Sequence, residues 1–275
     1  GDLEAVKNID MAVERGEFIA IVGPSGCGKT TFLRMVAGLE TPTSGAITID
    51  GQPLSGPGSN RGFVFQNDSL LPWRTVLSNA LIGPEVSGKV GETEKKRTLD
   101  LLKLVGLGGF EKYYPRQLSG GMRQRVNLAR ALAIDPDVLL MDEPFAALDA
   151  QTREIMQTEL LRIWEQGRKT VLFVTHQIDE AVFLSDRVLV FARRPGRLQE
   201  SVKIDLPRPR VLGLKRDPAF VAYVDHIWKL IEDDVRASVI EEHLAGLPTD
   251  MIQKVLHGNA ARIYGIKTPA LRKAA

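Results

Sequence analysis

One cysteine, Cys27, occurs in 275 residues, so no intrachain disulfide is possible, and the usage fits a reducing compartment. Long apolar runs are also missing. The longest, at 18–22, 138–141 and 171–174, fall far short of the ~20 residues a helix needs to span a bilayer. No basic-then-apolar leader opens the chain. It begins with Gly1 rather than methionine, so the natural N-terminus is expected upstream. Charge of one sign is scarce: 36 basic against 34 acidic residues leave +2, with no global pull toward nucleic acid or acidic lipid. Only four histidines occur, none in an H-x-H or H-E-x-x-H spacing, which argues against the common metallohydrolase patterns. If this protein serves a membrane, it does so as the partner of one.

What is present is the composition of an ordinary globular protein, 44% hydrophobic and 25% charged. Short β-branched runs alternate with amphipathic helical stretches, the pattern of an α/β fold with a mostly parallel, buried sheet. Strands are expected at 18–22, 62–65, 138–142, 170–175 and 187–191, with a shorter antiparallel one at 46–50, closed by Asp50-Gly51. Helices are expected at 29–39, 151–164 and 178–184. Between about 75 and 135 only helical patterns remain, at 92–105 and 120–133, so this stretch reads as a helical insert in the core. The Pro- and Arg-rich joint 206–210 closes a main domain of residues 1–210. An amphipathic helix follows within 211–236, and residues 237–275 form a separate tail.

Three motifs carry chemistry. Gly23-Pro24-Ser25-Gly26-Cys27-Gly28-Lys29-Thr30-Thr31 follows a buried strand and opens a helix, the context of a phosphate-binding loop. Its glycines let backbone N–H groups curl around phosphates at the positive end of a helix dipole. Lys29 would reach the β- and γ-phosphates of ATP, and the Thr30 hydroxyl would ligate Mg²⁺. Residues 138–143 form a buried strand ending in two carboxylates that, by strand alternation, point to opposite sides. Asp142 would hold the Mg²⁺ shell and Glu143 would act as general base on the attacking water. Leu118-Ser119-Gly120-Gly121 opens a helix with a hydroxyl, free N–H groups and a positive dipole end. One phosphate chain cannot use two such surfaces in one compact core, so a head-to-tail dimer is expected, with Ser119, Gly120 and Gly121 covering the partner's ATP.

With these residues in order, the chain resembles the ATPase subunit of an ABC transporter from about residue 3 to 209. The resemblance implies a P-loop NTPase (RecA-like) core with an antiparallel portion, an inserted helical subdomain and a helical C-terminal extension. It implies that Gln66, after Phe63-Val-Phe, senses Mg²⁺ and water. It also implies that His176 contacts the γ-phosphate and that Asp149, in Ala147-Leu-Asp149, links the two sites across the dimer. Leu70-Leu-Pro72-Trp73, Thr152-Arg153 and Arg194-Pro-Gly-Arg197 resemble the nitrate/sulfonate/taurine import branch. Implied partners are a second copy, two permease subunits and, indirectly, a substrate-binding protein, at the cytoplasmic face of the membrane. A non-transport ABC ATPase acting on nucleic acid or ribosomes is the alternative, disfavoured by a single cassette without sustained heptads. The family's adenine-stacking aromatic would lie upstream of Gly1.

Trp73 is read first as core packing, and otherwise as lining the groove for a permease helix. The basic stretch 193–216 reads as solvated surface, since a nucleic-acid groove would want interleaved aromatics. Cys27, among glycines beside Lys29 and a helix N-terminus, is expected to have a lowered pKa and a reactive thiolate. The tail motif at 257–265 resembles the end of metal-dependent amidohydrolases, here a structural appendage without hydrolase chemistry.

Overall fold

The computed structural model describes residues 4–244 apart from Asp68 and Arg194, with the backbone alone given from 236 to 244. The runs of four or five successive apolar residues form the core strands. These are β1 (Phe18–Val22), β5 (Val138–Asp142), β6 (Thr170–Val174) and β7 (Arg187–Phe191), joined by the shorter β4 (Arg61–Val64). They pair parallel in the order β4-β5-β6-β1-β7, and β8 (Leu198–Lys203) closes one edge antiparallel to β7. Parallel sheets of this kind are covered on both faces, which is why the strands read as continuous hydrophobic runs rather than alternating ones. A separate antiparallel ribbon pairs β2 (Thr48–Ile49) with β3 (Gln52–Pro53). The expected 46–50 strand therefore shrinks to two residues around the Asp50-Gly51 turn, both at positive φ.

Helix α1 (Lys29–Ala37) follows β1 and ends at Gly38, whose left-handed conformation returns its N–H to Arg34 and Met35 carbonyls. Residues 75–135 hold helices and no strand: α2 (Val76–Ala80), α3 (Ile82–Val86), α4 (Glu92–Leu104) and α5 (Gly120–Ala133). The two short helices α2 and α3 escaped the periodicity reading, since five residues cannot display a 3.6-residue period. Helix α5 packs against both β4 and the helices before it. Helices α6 (Ala150–Gly167) and α7 (Ile178–Leu184) follow β5 and β6. The last helix among the described residues, α8, runs Pro218–Leu244, past the break read at 236. One compact unit ends at Glu232, and α8 continues into a second that begins at Asp233. The amidohydrolase-like motif at 257–265 lies outside the described residues. No helix among the described residues is long and apolar enough to cross a membrane.

Two surface expectations are overturned. Trp73 is 72% exposed, so it is not core. It sits on a turn held by the buried Asn79, whose side-chain amide donates to the carbonyls of Leu71, Arg74 and Thr75 and accepts from the Leu71 N–H. The basic stretch is not uniformly solvated either. Arg208 stacks over Trp164 at 4.2 Å and pairs with Asp186 at 2.7 Å. Arg210 is 4% exposed and donates from Nη1 to the carbonyls of Val182, Phe183 and Ser185 at the end of α7. A buried guanidinium fork satisfies several carbonyls at once, a service that no composition argument reveals. Burial holds its pKa down to about 10, still high enough to keep it charged at neutral pH.

Replacing Arg210 by alanine strands those carbonyls away from water. Arg210→Ala should lower unfolding stability by about 2–4 kcal/mol in urea titration. A loss below about 0.5 kcal/mol would show that water or another donor takes over the cap.

Candidate nucleotide site at the strand ends

Because β4, β5, β6 and β1 are neighbours and parallel, their C-terminal ends lie along one edge. That edge is where open α/β sheets bind ligands. Each strand delivers one candidate group: Gln66 after β4, Asp142 and Glu143 from β5, His176 after β6, and the 23–31 loop after β1.

The loop after β1 is a cradle of backbone. Gly28 takes φ 97°, caps α1, and lies so close to Ala5 that an added Cβ would sit 2.6 Å from its carbonyl oxygen. Glycine is needed there for both the angle and the space. The outer wall comes from the chain's first residues and the turn at Gly196, which donates its N–H to the Ala5 carbonyl at 3.0 Å and accepts from the Lys7 N–H at 2.8 Å. A Cβ on Gly196 would fall 1.9 Å from the Cys27 carbonyl oxygen, so this turn presses directly on the loop. Lys29 is 7% exposed, and its ammonium donates to the carbonyls of Gly23 and Pro24 at 2.8 and 2.9 Å.

Across the sheet, the Thr30 hydroxyl donates to Asp142 Oδ1 at 3.1 Å. Asp142 is 4% exposed, and burial pushes its pKa up, with the Thr30 bond pulling the other way. A buried carboxylate with so little compensation favours a cation beside it. No cluster of three or more His, Cys, Asp or Glu that could hold a metal alone occurs among the described residues. A Mg²⁺ there would need phosphate oxygens to complete its shell, which is how Mg²⁺ is usually held.

Glu143 lies one residue beyond β5 at φ 46°, with its N–H donating to the Val174 carbonyl at 2.9 Å. The two carboxylates meet different partners, Asp142 the Thr30 hydroxyl and Glu143 the side chains of Gln66 and His176. Gln66 Nε2 donates to Glu143 Oε2 at 3.2 Å, and His176 Nδ1 lies 3.3 Å from the same oxygen. Three strands thus bring one amide, one carboxylate and one imidazole together.

Ser119, Gly120, Gly121 and Asp149 form a second group. Ser119 Oγ accepts from the Met122 N–H and caps α5, while Asp149 Oδ1 accepts from the Thr152 N–H and caps α6. That backbone bond holds the Asp149 pKa down. The groups adjoin: a Cβ on Gly121 would lie 2.9 Å from Leu148 Cδ2. Ser119, Gly120 and Asp149 are all exposed. Helix α5 also reaches the first group, since Gln124 and Asn127 both donate side-chain N–H to the Phe65 carbonyl, at 3.2 and 3.1 Å. These two residues were overlooked. Buried polar side chains at i and i+3 on an otherwise apolar helix face were the available signal.

The Cys27 expectation is corrected. The side chain is 1% exposed, and burial pushes the thiol pKa up, outweighing the downward pull of Lys29. Proximity to a cation activates a thiol only where water can also solvate the thiolate.

Residues 6–146 match the family described as ABC transporter. A nitrate import ATP-binding protein of Synechocystis is 48% identical over 237 residues, covering 84% of this chain and 89% of its own. A taurine import ATP-binding protein of Yersinia pseudotuberculosis is 46% identical over 228 residues, covering 81% and 89%. Among solved structures, a dimeric ATP-binding cassette in a post-hydrolysis state, bound to ADP and Pi, superposes with a TM-score of 0.66. It is 35% identical and covers 74% of this chain and 92% of its own.

As the one cysteine, Cys27 gives a clean readout. Maleimide should label the native chain at least about tenfold more slowly than the guanidinium-unfolded chain at the same pH. Equal rates would place the thiol in solvent and contradict its burial.

Proposed function

The chain belongs to the ABC transporter family and is an ATPase of its importer-type branch, and from that premise we propose how its residues divide the work. The observation that carries the reading is the convergence of Gln66 and His176 on one oxygen of Glu143, beside the buried Thr30–Asp142 pair. The 23–31 backbone and Lys29 bind the β- and γ-phosphates of ATP. Lys29 exchanges the carbonyls of Gly23 and Pro24 for phosphate oxygens, a swap that keeps its buried ammonium paired. Thr30 and Asp142, with Gln66 nearby, hold Mg²⁺, which when bound neutralises charge developing on the phosphates. Glu143 accepts the proton of the attacking water, with Gln66 and His176 fixing its carboxylate and orienting toward the γ-phosphate.

Ser119, Gly120, Gly121 and Asp149 serve the partner's nucleotide in a head-to-tail dimer. The exposure of Ser119, Gly120 and Asp149 supports this, as do the bonds that fix Ser119 and Asp149 at the starts of α5 and α6. The dimeric state of the structurally similar cassette supports it too. Two permease subunits take up the work at the cytoplasmic face of the membrane, fed by a substrate-binding protein. The exposed Trp73, on its Asn79-braced turn, supports a docking face for the permease. The transported solute is nitrate, a sulfonate, taurine or a similar small solute, by likeness to the nitrate and taurine import proteins.

Glu143→Gln should keep ATP binding, lose turnover and accumulate as an ATP-bound dimer, followed by steady-state hydrolysis and gel filtration. A positioned base is worth about 10²–10⁴-fold, so activity above about a tenth of wild type would remove Glu143 from that role.

A further inference from the structure

Arg153, on the first turn of α6, reaches two loops at once. Its Nη2 donates to the Leu148 carbonyl at 2.8 Å and its Nε to the Phe145 carbonyl at 3.3 Å. Both carbonyls belong to the turn between Glu143 and Asp149. Its Nη1 donates to Gln177 Oε1 at 3.0 Å, the residue directly after His176. His176 is thus flanked by two anchored neighbours. On one side the Thr175 hydroxyl donates to the buried Glu180 and accepts from the Gln177 N–H. On the other, Gln177 is held by Arg153. The Glu180 carboxylate in turn accepts from Gln157 Nε2 on α6, so the turn carrying His176 rests on that helix at two points.

We infer that Arg153 is a positioning residue that holds the Glu143–Asp149 turn in register with His176. The physical reason is the fork geometry of a guanidinium. Three directional N–H bonds leave one planar group toward three fixed acceptors, which an ammonium on a flexible stem cannot reproduce. Glu143 Oε2 lies 3.3 Å from His176 Nδ1; the two loops leave paired strands, tied by the Glu143 N–H to the Val174 carbonyl, and beyond that bond Arg153 bridges them. A shift of one loop against the other by about 1 Å is enough to lower turnover by up to about 10²-fold without touching the phosphate loop. Asp149 lies at the other end of the same turn. A displacement of Asp149 at the dimer face would therefore be passed through Arg153 to His176.

The inference rests on Glu143 and His176 acting in hydrolysis, and the test separates the two claims. Hydrolysis, ATP affinity and melting temperature are measured for Arg153→Lys, Gln177→Leu and the double variant, with Glu143→Gln as control. Arg153→Lys should lower kcat about tenfold while KM for ATP stays within about twofold. Gln177→Leu, which removes only the link to the His176 side, should do the same, and the double variant should be no slower than the worse single. Wild-type kcat in Arg153→Lys with an inactive Glu143→Gln overturns the positioning role alone. So do losses that multiply in the double variant, or a fall in melting temperature with kcat unchanged. An active Glu143→Gln overturns the underlying reading of the site instead.

Discussion

The hydrogen bond from Thr30 to the buried carboxylate of Asp142 joins positions 112 residues apart, and most of the site depends on it. It requires α1 to start directly above the end of β5, although β6 lies between β1 and β5 in the sheet. That placement is available only when the strands run parallel and end on one edge. The carboxylate is nearly sealed from water, and burial alone would favour its protonated form. The Thr30 hydroxyl answers that need in part, and the proposed Mg²⁺ would answer it further. Glu143, turned away at φ 46°, is left to Gln66 and His176.

Helix α5 connects this edge to the exposed group around Ser119. Its N-terminus carries Ser119, and five and eight residues later Gln124 and Asn127 grip the carbonyl that precedes Gln66. Helix α6 repeats the arrangement: Asp149 caps it, and Arg153 one turn on grips the loops bearing Glu143 and His176. Both exposed elements are therefore backed by helices whose next turns hold the segments bearing Gln66, Glu143 and His176. Under the proposed division of labour, an exposed group braced in this way against the strand-end group suits a site completed by a second subunit.

Much of this was legible in the sequence because its signals are local. A glycine-rich loop between a buried strand and a helix, or two acids ending an apolar run, can be read without knowing what packs nearby. The parallel core strands were legible for the same reason, as continuous apolar runs. What escaped was set by tertiary contact. β8 is an edge strand, half polar, and β7 alone gives it a partner. Trp73 reads as core by residue type, yet its turn is fixed outward by Asn79. Arg208 and Arg210 count as surface charge until the end of α7 and the ring of Trp164 are found beneath them. At Cys27 the nearby cation is visible in the sequence, whereas the burial that outweighs it is set by tertiary packing.

The central claim is that each nucleotide is held by the 23–31 loop of one subunit and by Ser119 of the other. Mixing subunits tests it most directly. Lys29→Ala and Ser119→Arg chains carry different tags, and heterodimers are isolated by tandem purification. Each variant alone should hydrolyse ATP at well under a tenth of the wild-type rate. The heterodimer keeps one site with an intact Lys29 facing an intact Ser119, and it should recover a substantial share of wild-type turnover. A purified heterodimer no more active than either parent would contradict the shared site.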